Sequence, residues 1–214
     1  HAENINKNKD LKILYVYEKK ELLRKKAKKL YNCKTELNYN KIFEDKKVDI
    51  IFISSPTNTH INFIENGIKH KKTIFCEKPL DLSIIKIKKT FNIVKKIKPK
   101  IQLGFNRRYD PGHYSIKKDL QKNKIGKLEK IIITSRDPSP PSVEYLKSSG
   151  GIFRDMMIHD FDLCRLYLGK DEIEEVQAFT SSFEPIYSRI KDHELAVVTM
   201  KSKRGVLCVI SNSQ

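Results

Sequence analysis

In GGIFRDMMIHDFDLCRLYLG, residues 150–169, Asp155 and His159 stand four positions apart, and Asp160 and Asp162 follow at once. On a helix, residues i and i+4 share a face, so Asp155 and His159 point the same way. A carboxylate beside an imidazole raises its basicity and fixes its tautomer and orientation. With an ordinary pKa of about 6.5, a histidine so held suits removal of a proton from an alcohol at neutral pH. Two other readings use the same residues. One is a helix with incidental polar side chains, in which Asp160 and Asp162, on other faces, cap or pair structurally. The other is a metal-dependent phosphohydrolase built on the His159–Asp160 doublet. It lacks partners, because His113 and His193 stand at no ligand spacing and no clear third ligand is present. Gly150 and Gly151 let backbone approach a ligand closely.

A second set of polar residues follows short apolar runs. CEKP (76–79) places Glu77 and Lys78 at the end of one run, with Pro79 fixing the exit. A lysine there can donate to a substrate hydroxyl and stabilise a developing alkoxide. SSPTNTH (54–60) closes another run and opens a helix, so Ser55, Asn58 and His60 can line a ligand or, for Asn58 or Thr59, simply cap the helix. Glu18 stands one residue past a third run. An acid there can bond both hydroxyls of an adenosine ribose and repel a 2′-phosphate; a surface glutamate is the plain alternative, and Lys19 and Lys20 leave room for NADP.

These positions need a scaffold, and the periodicity supplies one. Strands are predicted at 11–17, 49–55, 72–79 and 100–105, with helices after the first, at 59–70 and at 83–98. The continuous run 49–55 suits a strand buried on both faces of a parallel sheet. In helix 83–98, Ile84, Ile87, Phe91 and Val94 form one apolar stripe. Repeated β-α-β with short connections indicates a doubly wound Rossmann-type sheet. Beyond residue 108 the pattern changes: a helix at 113–124, a strand at 127–137, a helix at 153–168, and β-rich segments near 173–183, 193–201 and 205–212, the last two joined by a KSKRG hairpin turn. The chain thus divides into a nucleotide-binding domain, 1–108, and an α+β domain, 109–214, with a mostly antiparallel open sheet. The first strand and glycine-rich turn of a dinucleotide fold are missing, and HAENINKNKD reads as the tail of a helix. A fragment truncated at its N-terminal end is expected.

Composition excludes several classes. The chain has 214 residues, enough for one large or two modest domains, and its regular apolar spacing argues against disorder. No apolar run approaches the ~18–20 residues of a membrane helix, and no signal-peptide pattern opens the chain. Cys33, Cys76, Cys164 and Cys208 lack metal spacing and read as reduced core thiols of a cytoplasmic protein. The formal charge of +17 is carried mainly by lysines on the polar faces of helices, which suits a solvated surface better than nucleic-acid binding.

Five ordered segments, SSPTNTH, FCEKPL, QLGFNRRYDP, TSRDPSPP and GGIFRDMMIHDFD, resemble the Gfo/Idh/MocA oxidoreductases, its inositol dehydrogenases most of all. The resemblance spans essentially the whole chain and implies that the fragment lacks the C-terminal end as well. It implies NAD-dependent oxidation of a secondary ring hydroxyl of a cyclitol, myo-inositol to 2-keto-myo-inositol, with scyllo-inositol or a sugar as the alternative substrate. It implies Lys78, Asp155 and His159 as catalytic residues, and Asp137 beside them at the substrate. Along the cofactor it implies Glu18, Ser54, Ser55, Pro56, Asn58, His60, Glu77 and Lys78, with NAD preferred to NADP. An open sheet that builds a homodimer or tetramer is also implied, with no membrane or nucleic-acid partner.

Overall fold

The computed structural model describes residues 1–214. By contact, the chain forms two compact units, residues 1–76 with 85–102, and residues 77–84 with 103–214. The CEKP turn from Glu77 onward therefore groups with the second unit, an exchange that a single cut near 108 does not express.

The first unit runs α1 (Ala2–Lys7), β1 (Tyr15–Tyr17), α2 (Glu21–Tyr31), β2 (Lys34–Glu36), α3 (Tyr39–Glu44), β3 (Ile50–Ile53), α4 (His60–Lys69), β4 (Thr73–Cys76), α5 (Ile84–Ile97) and β5 (Ile101–Leu103). β1 pairs with β2 and β3 with β4, both parallel, and the larger sheet has the order β3-β4-β5. The break between β1 and β3 falls where the order 3-2-1-4-5-6 places its first strand. β3 is consequently an edge. Its Ile51 and Ile53 are buried, but Ile50 and Phe52 are each 38% exposed, so the expectation of burial on both faces fails here. The stripe of α5 is also narrower than its sequence suggests: Ile87, Thr90 and Val94 turn inward while Ile84 and Phe91 are exposed. α4 buries Phe63, Ile64, Gly67 and Ile68. Gly67 is where it meets β4, since a Cβ there would come within 2.6 Å of Ile74 Cδ1.

The second unit contains α6 (Pro111–Gln121), β6 (Lys130–Arg136), α7 (Val143–Ser149), α8 (Gly151–Asp155), α9 (Met157–Leu168), β7 (Ile173–Ser181), α10 (Pro185–Ile190), β8 (Leu195–Ser202) and β9 (Leu207–Ser213). Asp110 caps α6 by accepting from the Gly112 and His113 amides, with Pro111 at the first helical position. The sheet order is β6-β9-β8-β7, with β6 and β9 parallel and the other pairs antiparallel. Alternation decides its faces. Ala196, Val198, Met200, Cys208 and Ile210 point into a core shared with Ile152, Met157, Cys164 and Leu168. The opposite face leaves Ile132, Phe179 and Val197 exposed. All four cysteines are free and buried, as their surroundings in the sequence predict. No helix is long and apolar enough to cross a membrane.

Candidate active site

The predicted helix 153–168 is two helices, and the break lies inside the Asp155–His159 pair. A continuous α-helix would give the Asp155 carbonyl to the His159 amide. Instead the Asp155 carbonyl accepts from Lys78 Nζ at 2.8 Å, and the His159 amide bonds to the Met156 carbonyl at 3.3 Å. Lys78 also donates to Asp155 Oδ1 at 2.7 Å, and Tyr145 Oη donates to the same oxygen at 2.8 Å. Two of the three ammonium N–H groups of Lys78 are thus spent on Asp155, and one is left. Lys78 reaches this position from the turn after β4, where its amide bonds to Glu77 Oε2 and the Glu77 carboxylate lies against Gly104.

One sequence expectation needs correcting. Asp155 makes no hydrogen bond to the His159 imidazole; its Oδ1 accepts from Lys78 and Tyr145, and His159 Nδ1 is buried and unpartnered. The imidazole is held neutral by its surroundings: burial lowers its pKa, Lys78 and Arg107 lower it further, and Asp160 and Asp155 oppose them. Gly150 and Gly151 have a local structural reason as well. Both have positive φ where α7 turns into α8, and a Cβ on Gly151 would come within 2.5 Å of Asp192 Oδ1. Asp192 fills that space as the cap of α8, accepting from the Ile152 amide at 3.1 Å.

Asp160 and Asp162 are structural partners, in agreement with the non-metal reading. Asp160 is fully buried and accepts from Arg107, from Ser135 Oγ at 3.1 Å and from Asn212 Nδ2 at 2.8 Å. Asp162 takes a two-pronged bond from Arg108, both contacts at 2.7 Å. With Asp160 committed on both oxygens, the phosphohydrolase reading loses its aspartate. Asp137 is exposed at the end of β6, its amide bonded to the Ser213 carbonyl at 3.0 Å.

Of the residues predicted along the cofactor, Glu18, Ser54, Ser55, Pro56, Asn58 and His60 lie in the first unit, and Glu77 and Lys78 in the second. Glu18 follows β1 directly; its Oε1 accepts from the Lys20 amide at 2.9 Å, and Arg24 bonds its carbonyl. After β3, Ser54 and Pro56 are exposed and Ser55 Oγ shares a 2.6 Å bond with Thr59 Oγ1. Residues 57–59 form a 3₁₀ turn in which Asn58 is exposed, so neither Asn58 nor Thr59 caps α4 through its side chain. His60 is buried beneath this loop, with Nε2 2.8 Å from the Ser55 carbonyl. It steadies the loop backbone from inside. These groups follow the carboxyl ends of parallel strands, the edge at which open α/β sheets bind ligands, and they suit a dinucleotide.

Tyr145, Arg107, Arg108, Ser135 and Asn212 escape sequence reasoning. Tyr145 had a usable signal: Ser142 after Pro140-Pro141, with Glu144 in the next turn, marks a helix start, and Ser142 Oγ does accept from the Tyr145 amide. The arginines had none, since NRRYD is more than fifty residues from its aspartates and only the fold brings them together.

Residues 1–105 match the family model described as oxidoreductase family, NAD-binding Rossmann fold, and residues 113–214 match the GFO/IDH/MocA C-terminal domain. The chain is 34% identical over its full length to an inositol 2-dehydrogenase of Rhizobium meliloti and 39% identical to a myo-inositol 2-dehydrogenase of Thermotoga maritima. It spans 64% of the length of each. A crystal structure of scyllo-inositol dehydrogenase from Lactobacillus casei, with bound NAD(H) and scyllo-inositol, superposes on the whole chain with a TM-score of 0.89 at 28% identity; the match takes in 66% of that protein. With both halves matched in order and the lysine, aspartate and histidine gathered in the second unit, the chain belongs to the Gfo/Idh/MocA oxidoreductase family.

Proposed function

We propose that the protein is an NAD-dependent dehydrogenase that oxidises a secondary ring hydroxyl of a cyclitol, with myo-inositol as the substrate and 2-keto-myo-inositol as the product. The observation that carries this reading is the cluster itself: a neutral, partly buried His159 next to a lysine with one N–H uncommitted. NAD, when bound, supplies the acceptor for the hydride that leaves the carbinol carbon. His159 takes the hydroxyl proton. Its unprotonated state at neutral pH is what a base requires, and burial, the largest cause of its lowered pKa, favours that state. The third N–H of Lys78 meets the same oxygen and stabilises negative charge as the proton departs. Asp155 fixes Lys78 and, through Oδ2, accepts from a neighbouring ring hydroxyl together with Asp137. Glu18 receives the adenosine ribose hydroxyls, and Ser54, Ser55, Pro56 and Asn58 line the cofactor on a loop braced by His60. Glu77 supports the turn that presents Lys78. The open sheet face with Ile132, Phe179 and Val197 packs against another copy in the assembled enzyme.

The direct test is NAD⁺ reduction by the intact protein, screened against inositol isomers and common sugars. Myo-inositol is expected to give the highest kcat/KM. Turnover confined to scyllo-inositol or to a sugar would replace the substrate and keep the chemistry; no turnover on any polyol would overturn the reading.

Tyr145→Phe tests the support of Asp155. Removing one donor to a charged acceptor costs about 1.5–3 kcal/mol when enclosed, and Tyr145 is 47% exposed, so the lower end applies. The expected result is about a tenfold loss in kcat/KM with an unchanged circular dichroism spectrum. Wild-type kinetics would remove Tyr145 from the site.

A further inference from the structure

α2 opens without a capping side chain. Its N-cap is Lys20, whose side chain has donors but no acceptor, and no side-chain bond closes the helix end. The loop before it, Glu18–Lys20, is held instead by one residue from inside the helix. Arg24 Nη1 donates to the Glu18 carbonyl at 2.8 Å and to the Lys19 carbonyl at 2.6 Å. The Arg24 amide donates to the Lys20 carbonyl at 3.0 Å. Every carbonyl of the loop thus accepts from Arg24. The planar guanidinium suits this task, because one nitrogen with two hydrogens meets two neighbouring carbonyls at small cost in freedom. Glu18 completes the arrangement: its Oε1 accepts from the Lys20 amide at 2.9 Å, which leaves Oε2 without a bond in the chain.

We infer that Arg24 is a positioning residue that sets the choice between NAD and NADP. It acts through Glu18, so the inference rests on the proposed role of that carboxylate at the adenosine ribose. The loop carries two opposed kinds of group. Glu18 accepts from hydroxyls and repels a 2′-phosphate, whereas Lys19 and Lys20 are exposed cations that attract one. Loop conformation decides which of them a ligand meets. With all three carbonyls pinned, the loop keeps one conformation, in which Glu18 is tied back to the Lys20 amide. Without Arg24 the loop regains backbone freedom. Glu18 then loses its fixed place, and the two lysines are free to turn toward a phosphate.

The test is calorimetric titration of the intact protein with NAD⁺ and with NADP⁺, beside hydrogen exchange at the Lys20 amide. Wild type should bind NAD⁺ more tightly. Arg24→Met keeps a long side chain of good helix propensity but removes the donors. It should weaken NAD⁺ about tenfold without weakening NADP⁺, and speed Lys20 exchange about tenfold. Arg24→Lys, whose ammonium can still meet the loop carbonyls, should restore both the preference and the slow exchange. A wild-type preference for NADP⁺ would overturn the inference, as would unchanged exchange in Arg24→Met. Equal loss of both cofactors would make Arg24 a structural residue only, and loss of NADP⁺ alone would make it a phosphate ligand. Glu18→Gln, which keeps the acceptor for the Lys20 amide, separates the two claims. If Glu18→Gln reduces the preference and Arg24→Met does not, the role of Glu18 stands and the inference fails. If Arg24→Met reduces it and Glu18→Gln does not, Arg24 governs the choice by restraining Lys19 and Lys20, and the role of Glu18 at the ribose fails.

Discussion

Replacing His159 with glutamine in the intact protein is expected to lower kcat by about 10²–10⁴-fold, the range that a positioned general base contributes, with NAD affinity nearly unchanged. The retained affinity follows from placement. The predicted cofactor residues Glu18, Ser54, Ser55, Pro56 and Asn58 lie in the first unit, whereas His159 lies in the second. Glutamine keeps the polarity and most of the volume of histidine but cannot take a proton near neutral pH. Because the folded environment holds the His159 pKa below 6.5, the base is already available at pH 7, and wild-type kcat/KM should fall only as the pH drops below about 6.5. Isothermal titration with NAD and steady-state kinetics across pH together check this. Unchanged turnover in His159→Gln, or an acid limb that persists in it, would assign the proton transfer to another group.

The way this site is divided between sequence and fold is instructive. Lys78, Asp155 and His159 stand out as candidates by position, a lysine after an apolar run and an acid and an imidazole at helical spacing, and it is the family resemblance that joins the three into one catalytic set. Their linkage was not legible. The i,i+4 rule assumes an unbroken helix, and the ladder is broken by Lys78, which arrives from a distant turn and takes the Asp155 carbonyl. The same limit applies to the strands. The apolar run 49–55 predicts a strand correctly, but only the pairing pattern makes β3 an edge with Ile50 and Phe52 partly exposed. Short elements such as β2, α3 and α10 carry too few residues for a periodic signal. The aspartates following His159 show the converse. Their residue types alone allow metal binding, capping or pairing, and it is Arg107 and Arg108, invisible to any local rule, that decide for pairing.

Lys78→Met separates the two tasks of the lysine. The loss of a charged donor at the reacting oxygen is expected to lower kcat by about 10²–10³-fold, as for the removal of one oxyanion donor. The same change leaves the Asp155 carboxylate, 15% exposed, with Tyr145 as its one remaining side-chain donor. Stripping one partner from a well-buried pair costs about 3–5 kcal/mol, and solvent at this partly open site reduces that to about 1–3 kcal/mol. The single variant should therefore be both slow and less stable, a combination that a purely structural lysine would also produce through partial unfolding. The double variant Lys78→Met/Asp155→Asn distinguishes the two cases, since it removes the stranded charge along with the cation. Chemical denaturation should find most of the lost stability recovered. Turnover should stay low, because no group in the restored fold can stabilise the alkoxide. If activity returned along with stability, Lys78 would be a prop for Asp155 and the charge at the reacting oxygen would have to come from elsewhere.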